Sequence, residues 1–198
     1  MATISIRPAS ANDMDDGVAL IYAAGEKLVN YIFGNGDEAL ALRYLRLAWR
    51  RGHGQYGYKN HWVADVDGHC AGLISCWHDT LPANFDAETM ASITDLFSHQ
   101  NALDVVMRSR EYADEIPPPK SDEFAVGHVA TASAFKRSGV ATQLMNFMYS
   151  EACRLNKSTM ILDVENVNTG AQAFYHSMGF VVQRQQSTFT RMAKSLKT

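Results

Sequence analysis

A chain of 198 residues that is 46% hydrophobic and 20% charged can bury a core of its own and does not have the composition of a disordered polymer. Its formal charge of −3 argues against bulk attraction to nucleic acid or to an anionic membrane, and no apolar run approaches the ~18 residues of a membrane span. The opening "MATISIRPAS" lacks the apolar segment of a secretory signal, and the three cysteines, Cys70, Cys76 and Cys153, make no disulfide framework, so a reducing, cytoplasmic setting is the expectation.

The patterning predicts one mixed α/β domain over residues 3–198, without internal repeats. "TISIRPA" alternates as a short strand. Asn12 or Asp13 then caps a helix whose apolar stripe is Val18, Ile21, Tyr22, Leu28, Val29 and Ile32. "FGNGDE" breaks that helix, and a second follows with Leu40, Tyr44 and Leu47 at helical spacing. "HWVADVDGHCAGLISCWH" reads as a hairpin around the turn pair Asp67-Gly68.

Residues 80–120 change character. "DAETMASITDLFSHQ" and "ALDVVMRSREYA" read as two shorter helices, with Pro117 to Pro119 stopping the second. About forty residues can hardly bury a core alone, so this is a helical insertion and not a separate domain. Beyond it, "DEFAVGHVAT" reads as a strand, "GVATQLMNFMYSEACRL" as a helix buried along Val140, Leu144, Phe147, Met148 and Leu155, and "TMILDVE" as another strand. "NTGAQAFYHSM" is a helix, and "GFVVQ" begins a final strand pair. The basic residues near the end, Arg184, Arg191, Lys194 and Lys197, suit a solvated edge strand and tail.

Several motifs fail on their surroundings. Gly52, Gly54 and Gly57 spell G-x-G-x-x-G but follow a helix and precede a strand, the reverse of a dinucleotide site, and read as a flexible connection. Cys70 and Cys76 are six residues apart, roughly 20 Å along one strand, so they cannot share a zinc ion with His69 and His78. They read as small buried apolar residues. There is neither a Walker motif nor a G-x-S-x-G elbow, and His53, His61, His99 and His176 stand isolated.

"FKRSGVATQLM" survives this sieve. A strand ends near Thr131 and a helix begins around Gly139. First-turn amides of a helix have no internal partner and together carry about half a positive charge. Gly139 lets backbone approach a ligand, Ala141 keeps the next contact small, and Lys136 and Arg137 add charge, which makes a pyrophosphate cradle in physical terms. Alone the pattern is common by chance. About 25 residues on, Asn168, Ala171, Tyr175, Gly179 and Phe180 fall in the spacing N-x-x-A-x-x-x-Y-x-x-x-G-F. With both halves the chain resembles the GCN5-related N-acetyltransferase (GNAT) superfamily, specifically over residues 122–182 and more loosely from residue 3.

The resemblance implies the GNAT acyl-CoA N-acyltransferase fold, an α/β (α+β) mixed sheet with the helical insertion ahead of the cofactor-binding strand. It implies that acetyl-CoA, as acyl donor, lays its pyrophosphate on the amides of Arg137, Ser138, Gly139, Val140, Ala141 and Thr142. The backbone of Val129, Ala130 and Thr131 would pair with its pantetheine arm, and Asn168 would contact a pantetheine amide. Lys136 stands where arginine or glutamine is usual, so fork-like bonding there is lost. Tyr175 matches the tyrosine that protonates the departing thiolate.

The base is less defined. Family members often carry Glu or His at the positions that match Ala125 and Gly127 here. Glu123 shares their strand parity and is the first candidate for the second catalytic residue, while His128 is the second candidate although alternation points it to the opposite face.

The expected activity is transfer of an acetyl group to a primary amine, in a small molecule, without a metal. Acids of the insertion, Asp86, Glu88, Asp95, Asp104, Glu111, Asp114 and Glu115, read first as solvated helix faces and second as a bias toward a cationic acceptor. The alternatives are a protein lysine or N-terminal acetyltransferase and a non-catalytic acyl-CoA-binding regulatory module. Neither nucleic acid nor membrane is an expected partner, and a homodimer is as compatible with the sequence as a monomer.

Overall fold

The computed structural model describes residues 3–196. Its strands lie in one seven-stranded mixed sheet of order β1-β2-β3-β4-β5-β7-β6. β1 (Ile4–Pro8) leads through Ser10, which forms a capping box with Asp13, into α1 (Met14–Ala24). The stripe expected to continue as one helix is interrupted at Gly25. After it come α2 (Glu26–Val29) and a π-turn (Asn30–Gly34), ended by left-handed Asn35 and Gly36. Val18, Ile21, Val29 and Ile32 are buried as the periodicity predicts.

Asp37 caps α3 (Glu38–Arg51), its carboxylate accepting the Ala39 and Leu40 amides at 2.9 and 3.2 Å. The buried face runs through Ala41, Tyr44, Leu45, Ala48 and Trp49, so Leu40 and Leu47 lie at its margin. Each large side chain taken fully out of water there contributes about 1.5–3 kcal/mol. β2 (His61–Val66) and β3 (His69–Trp77) form the expected hairpin, with positive φ at Asp67 and Gly68.

The insertion supplies α4 (Phe85–Leu96) and α5 (His99–Arg110). α5 ends at Arg110, before the prolines. The chain after it is held instead by Glu115, whose carboxylate accepts the Thr188 and Phe189 amides at 2.8 and 3.0 Å. β4 (Glu123–Thr131), α6 (Val140–Arg154), β5 (Thr159–Glu165), α7 (Thr169–Ser177), β6 (Val181–Gln185) and β7 (Phe189–Ser195) complete the fold.

Packing divides the chain into two compact units. The first comprises residues up to Ser75, Thr80–Glu111 and His128–Leu144; the second comprises Cys76–Asp79, Tyr112–Gly127 and residues from Met145 onward. The first is centred on Val18, Ile21, Tyr44, Trp49, Val63 and Leu73. The second buries Phe124, Met148, Met160, Ile161, Phe180 and Met192.

The basic end of the chain is a solvated edge only in part: Arg184 lies on β6, the outermost and largely exposed strand, whereas Arg191 and Lys194 lie on β7. β7 lies between β5 and β6, and Arg191 is buried on it. Lys194 lies over the Tyr149 ring at 4.9 Å, and Arg184 donates to the carbonyl oxygens of Asp114 and Glu115. Lys197 lies outside the described residues. Inter-strand pairing decides this, and charge counting along a tail cannot see it.

Candidate active site

The turn between β4 and α6 belongs wholly to the first unit. A short 3-10 segment, Ser133–Phe135, follows the strand, and the Phe135 carbonyl accepts the Ser138 hydroxyl at 2.6 Å. Arg137 and Gly139 both have positive φ, +64° and +88°. Extended Lys136 (φ −59°, ψ 139°) and left-handed Arg137 form a type II turn, closed by the Ser138 amide donating to the Phe135 carbonyl at 3.3 Å. The Gly139 carbonyl accepts the Gln143 amide at 3.0 Å, which makes Gly139 the cap. The amides of Val140, Ala141 and Thr142 then occupy the first turn, where a helix offers no carbonyl. Lys136, Arg137, Ser138 and Gly139 are exposed, and a Cβ on Gly139 would meet nothing within 4 Å. Glycine is required here by φ, and the space over the turn is open. Val129, Ala130 and Thr131 run into this turn partly exposed.

β4 pairs in parallel with β5 over Glu123↔Thr159, Phe124↔Met160 and Ala125↔Ile161. Three residues later His128 has φ +48°, uncommon for any residue but glycine. That backbone turn breaks the strict alternation that predicts an opposite-facing His128, because period two holds only while every residue stays extended. His128 Nδ1 lies 3.0 Å from Nε2 of His61, and His61 Nδ1 lies 2.9 Å from the Gly57 carbonyl oxygen. Tyr56 stacks on the His128 ring at 5.2 Å. Burial pushes the His61 pKa down to about 4, and burial together with His61 holds His128 well below the ordinary histidine range. His61 is therefore not isolated. No sequence signal could join residues 67 apart.

Nor are the three glycines a flexible connection. Gly52 ends α3 at φ +79°, a Cβ on Gly54 would come within 2.7 Å of the Thr89 backbone, and one on Gly57 within 2.4 Å of the His53 carbonyl. They form a tight turn that carries the His61 acceptor.

In the second unit, Glu123 is buried and its Oε2 accepts the Lys120 amide at 2.9 Å. Asn168 caps α7, its Oδ1 accepting the Ala171 amide at 3.1 Å and leaving its NH2 group as a further donor. Tyr175 is buried beside Phe174 and Phe180, and burial raises its phenol to about 12. Thus Val129–Thr131 and Lys136–Thr142 are brought together in one unit, while Glu123, Asn168 and Tyr175 belong to the other.

Several acids of the insertion have structural partners: Glu88 and Asp95 pair with Arg51, and Glu111 accepts the Tyr31 hydroxyl at 2.7 Å. Cys70 and Cys76 are buried, with thiols raised to about 12 by burial. Among the described residues no three His, Cys, Asp or Glu side chains group to hold a metal, and no helix is long and apolar enough to cross a membrane.

The fold is shared with solved acetyltransferases. An N-acetyltransferase from Staphylococcus aureus Mu50 superposes with a TM-score of 0.72 at 18% identity, covering 96% of this chain and 99% of that one. A further acetyltransferase gives a TM-score of 0.63 at 17% identity over 98% and 100% of the two chains. An acetyltransferase of Salmonella typhimurium, solved with its cofactor acetyl-CoA, gives 0.54 at 16% identity over 100% and 96%. No curated protein matches by sequence. The sequence model described as "Acetyltransferase (GNAT) family" matches residues 27–180, a span that takes in both the exposed turn before α6 and the Tyr175 helix, and the chain belongs to that family.

Proposed function

We propose that the protein transfers the acetyl group of acetyl-CoA to a primary amine of a small molecule. The observation that carries this reading is the turn before α6, where left-handed Arg137 and Gly139 precede the first-turn amides of Val140, Ala141 and Thr142 under open space. In this reading Lys136–Thr142 receive the pyrophosphate, Val129–Thr131 run beside the pantetheine arm, and Asn168 offers its NH2 group to it. Bound acetyl-CoA supplies an activated thioester carbonyl.

His128 is the favoured base. Its lowered pKa keeps the ring neutral at pH 7 and makes it a weak base, so it does not deprotonate a free ammonium of pKa ~10.4 efficiently. The same nitrogen becomes far more acidic once it bonds to the carbonyl carbon. The amine attacks from its neutral fraction, the ammonium proton having gone to solvent; His128 then takes one proton from nitrogen as the C–N bond forms, and Tyr175 gives one to sulfur as the C–S bond breaks. Solvent carries the proton from imidazolium to phenolate, and the protons balance. Tyr175 at about 12 against a thiol near 8.5 makes isolated transfer uphill by about 5 kcal/mol, so its proton moves only while the C–S bond is breaking. Glu123 is the less favoured candidate because its carboxylate already serves the Lys120 amide. A non-catalytic role rests on the lack of titratable groups at Ala125 and Gly127, and His128 supplies one nearby.

The test is a thermal-shift titration with acetyl-CoA, for the wild type and Gly139→Glu, followed by thiol release with a panel of primary amines. At about 100 Kd the ligand should stabilise the fold by ~2.7 kcal/mol, a shift of several degrees. A shift lost in the variant, with release by one amine class, is the expected result. No shift in the wild type would overturn the reading.

A further inference from the structure

We propose that His61 is a positioning residue: its bond to His128 fixes that ring in the tautomer with hydrogen on Nδ1, leaving Nε2 as the basic nitrogen. Only the functional consequence rests on reading His128 as the base; the tautomer stands on the hydrogen-bond geometry together with the neutral state of the two rings.

The deduction starts at Gly57. A carbonyl oxygen can only accept, so His61 Nδ1, 2.9 Å from it, must carry hydrogen. A neutral imidazole carries one N–H, which makes His61 Nε2 an acceptor. His128 Nδ1 lies 3.0 Å from that nitrogen and must therefore be the donor. The second nitrogen of His128 then holds the lone pair. Burial disfavours the charged form of both rings, which excludes a shared imidazolium at neutral pH.

Each link is held rigidly. The Gly57 carbonyl also accepts the Asn60 amide at 3.0 Å, and the Lys59 amide donates to the Gly52 carbonyl at 3.1 Å, so the glycine turn cannot swing the acceptor away. The two imidazoles are within 10° of parallel, Trp49 packs against His61 at 5.4 Å, and Tyr56 stacks on His128 within 22°. Tyr56 is a titratable group that faces His128 from the loop after α3, and burial keeps its phenol protonated. The positive φ of His128 brings its ring to this stack. The G-x-G-x-x-G stretch thus has a role unrelated to phosphate: it presents one carbonyl that sets two tautomers in series.

The test uses the full chain labelled with 15N-histidine, with His128 assigned by loss of its signals in His128→Asn. Long-range 1H–15N spectra at pH 7.5 should give His128 a protonated-type Nδ1 and an unprotonated-type Nε2. The opposite or an averaged pattern overturns the proposal. His61→Phe should release the tautomer and lower kcat by roughly 10²-fold, with the acetyl-CoA thermal shift retained. His61→Gln, which can still accept, should restore the pattern. A His128 tautomer unchanged in His61→Phe would overturn the assignment, and if that variant does not fold, the wild-type spectrum decides. The expected spectrum in a protein that acetylates no amine would uphold the tautomer and sink only the catalytic reading.

Discussion

Arg191 and Asp163 face one another across β7 and β5 in direct register, joined by Nε–Oδ1 and Nη2–Oδ2 contacts of 2.9 and 2.7 Å. Their side chains are only 8% and 11% exposed, and the Pro117 carbonyl accepts a third bond from the guanidinium at 2.6 Å. A buried pair contributes little net stability over an apolar pair, but removing one partner strands a charge. Asp163→Ala should therefore cost about 3–5 kcal/mol in urea unfolding, and Asp163→Leu combined with Arg191→Met should recover much of it. A loss below about 1 kcal/mol would mean that the pair behaves as a solvated surface pair.

Arg137 and Gly139 share left-handed geometry but should respond in opposite ways. At Gly139, φ +88° with open space around the Cβ position means that alanine is penalised by backbone strain alone, about 1–2 kcal/mol. Arg137→Gly relieves similar strain at φ +64° and loses about 0.5–1 kcal/mol in chain entropy, so its stability should be unchanged or slightly raised. Calorimetric titration should show acetyl-CoA binding weakened in both. Binding unaffected by either change would remove the turn from the donor site.

Base and acid separate by substitution. Glu123→Gln keeps an oxygen for the Lys120 amide and should leave folding and turnover nearly unchanged, whereas His128→Gln should slow turnover by roughly 10²-fold. Tyr175→Phe should lose 10²–10⁴-fold in kcat, about the range of a general acid, and retain acetyl-CoA affinity. Because burial raises Tyr175 to about 12, its ionisation should cause no loss of rate up to about pH 10. Turnover abolished by Glu123→Gln but not by His128→Gln would exchange the two roles.

Acid should unfold the protein in two windows. His61 has an ordinary value of 6.5 that falls to about 4 in the fold. Below pH 6.5 the unfolded chain takes a proton that the folded one refuses, so stability falls with pH, on the order of 3 kcal/mol by pH 4. His128 acts in the same direction. Asp13, lowered from 3.8 to about 2 chiefly by its bond to Arg7, contributes stability that is full above 3.8 and lost toward pH 2. Urea midpoints measured from pH 7.5 to 4.5 should show the first slope, and His61→Phe should flatten it. A flat wild-type profile would mean that the imidazoles are solvated.

The sequence by itself determined what local physics encodes. Period-two alternation located β5, a three-to-four-residue period gave α6 and α7, Asp67-Gly68 marked the hairpin, and the stretches around Gly139 and Tyr175 carried the family. Each of these signals is complete within about twenty residues. Tertiary structure alone decided that His61 meets His128, that Arg191 is buried on Asp163, and that Glu115 holds the turn before β7. These pairs lie 67, 28 and 73 residues apart, and their residue types read equally well as surface groups. The positive φ of His128 belongs with them. Its alternation reads as regular along the chain, and tertiary packing, against His61 and Tyr56 among others, accompanies a backbone state that a free histidine rarely adopts.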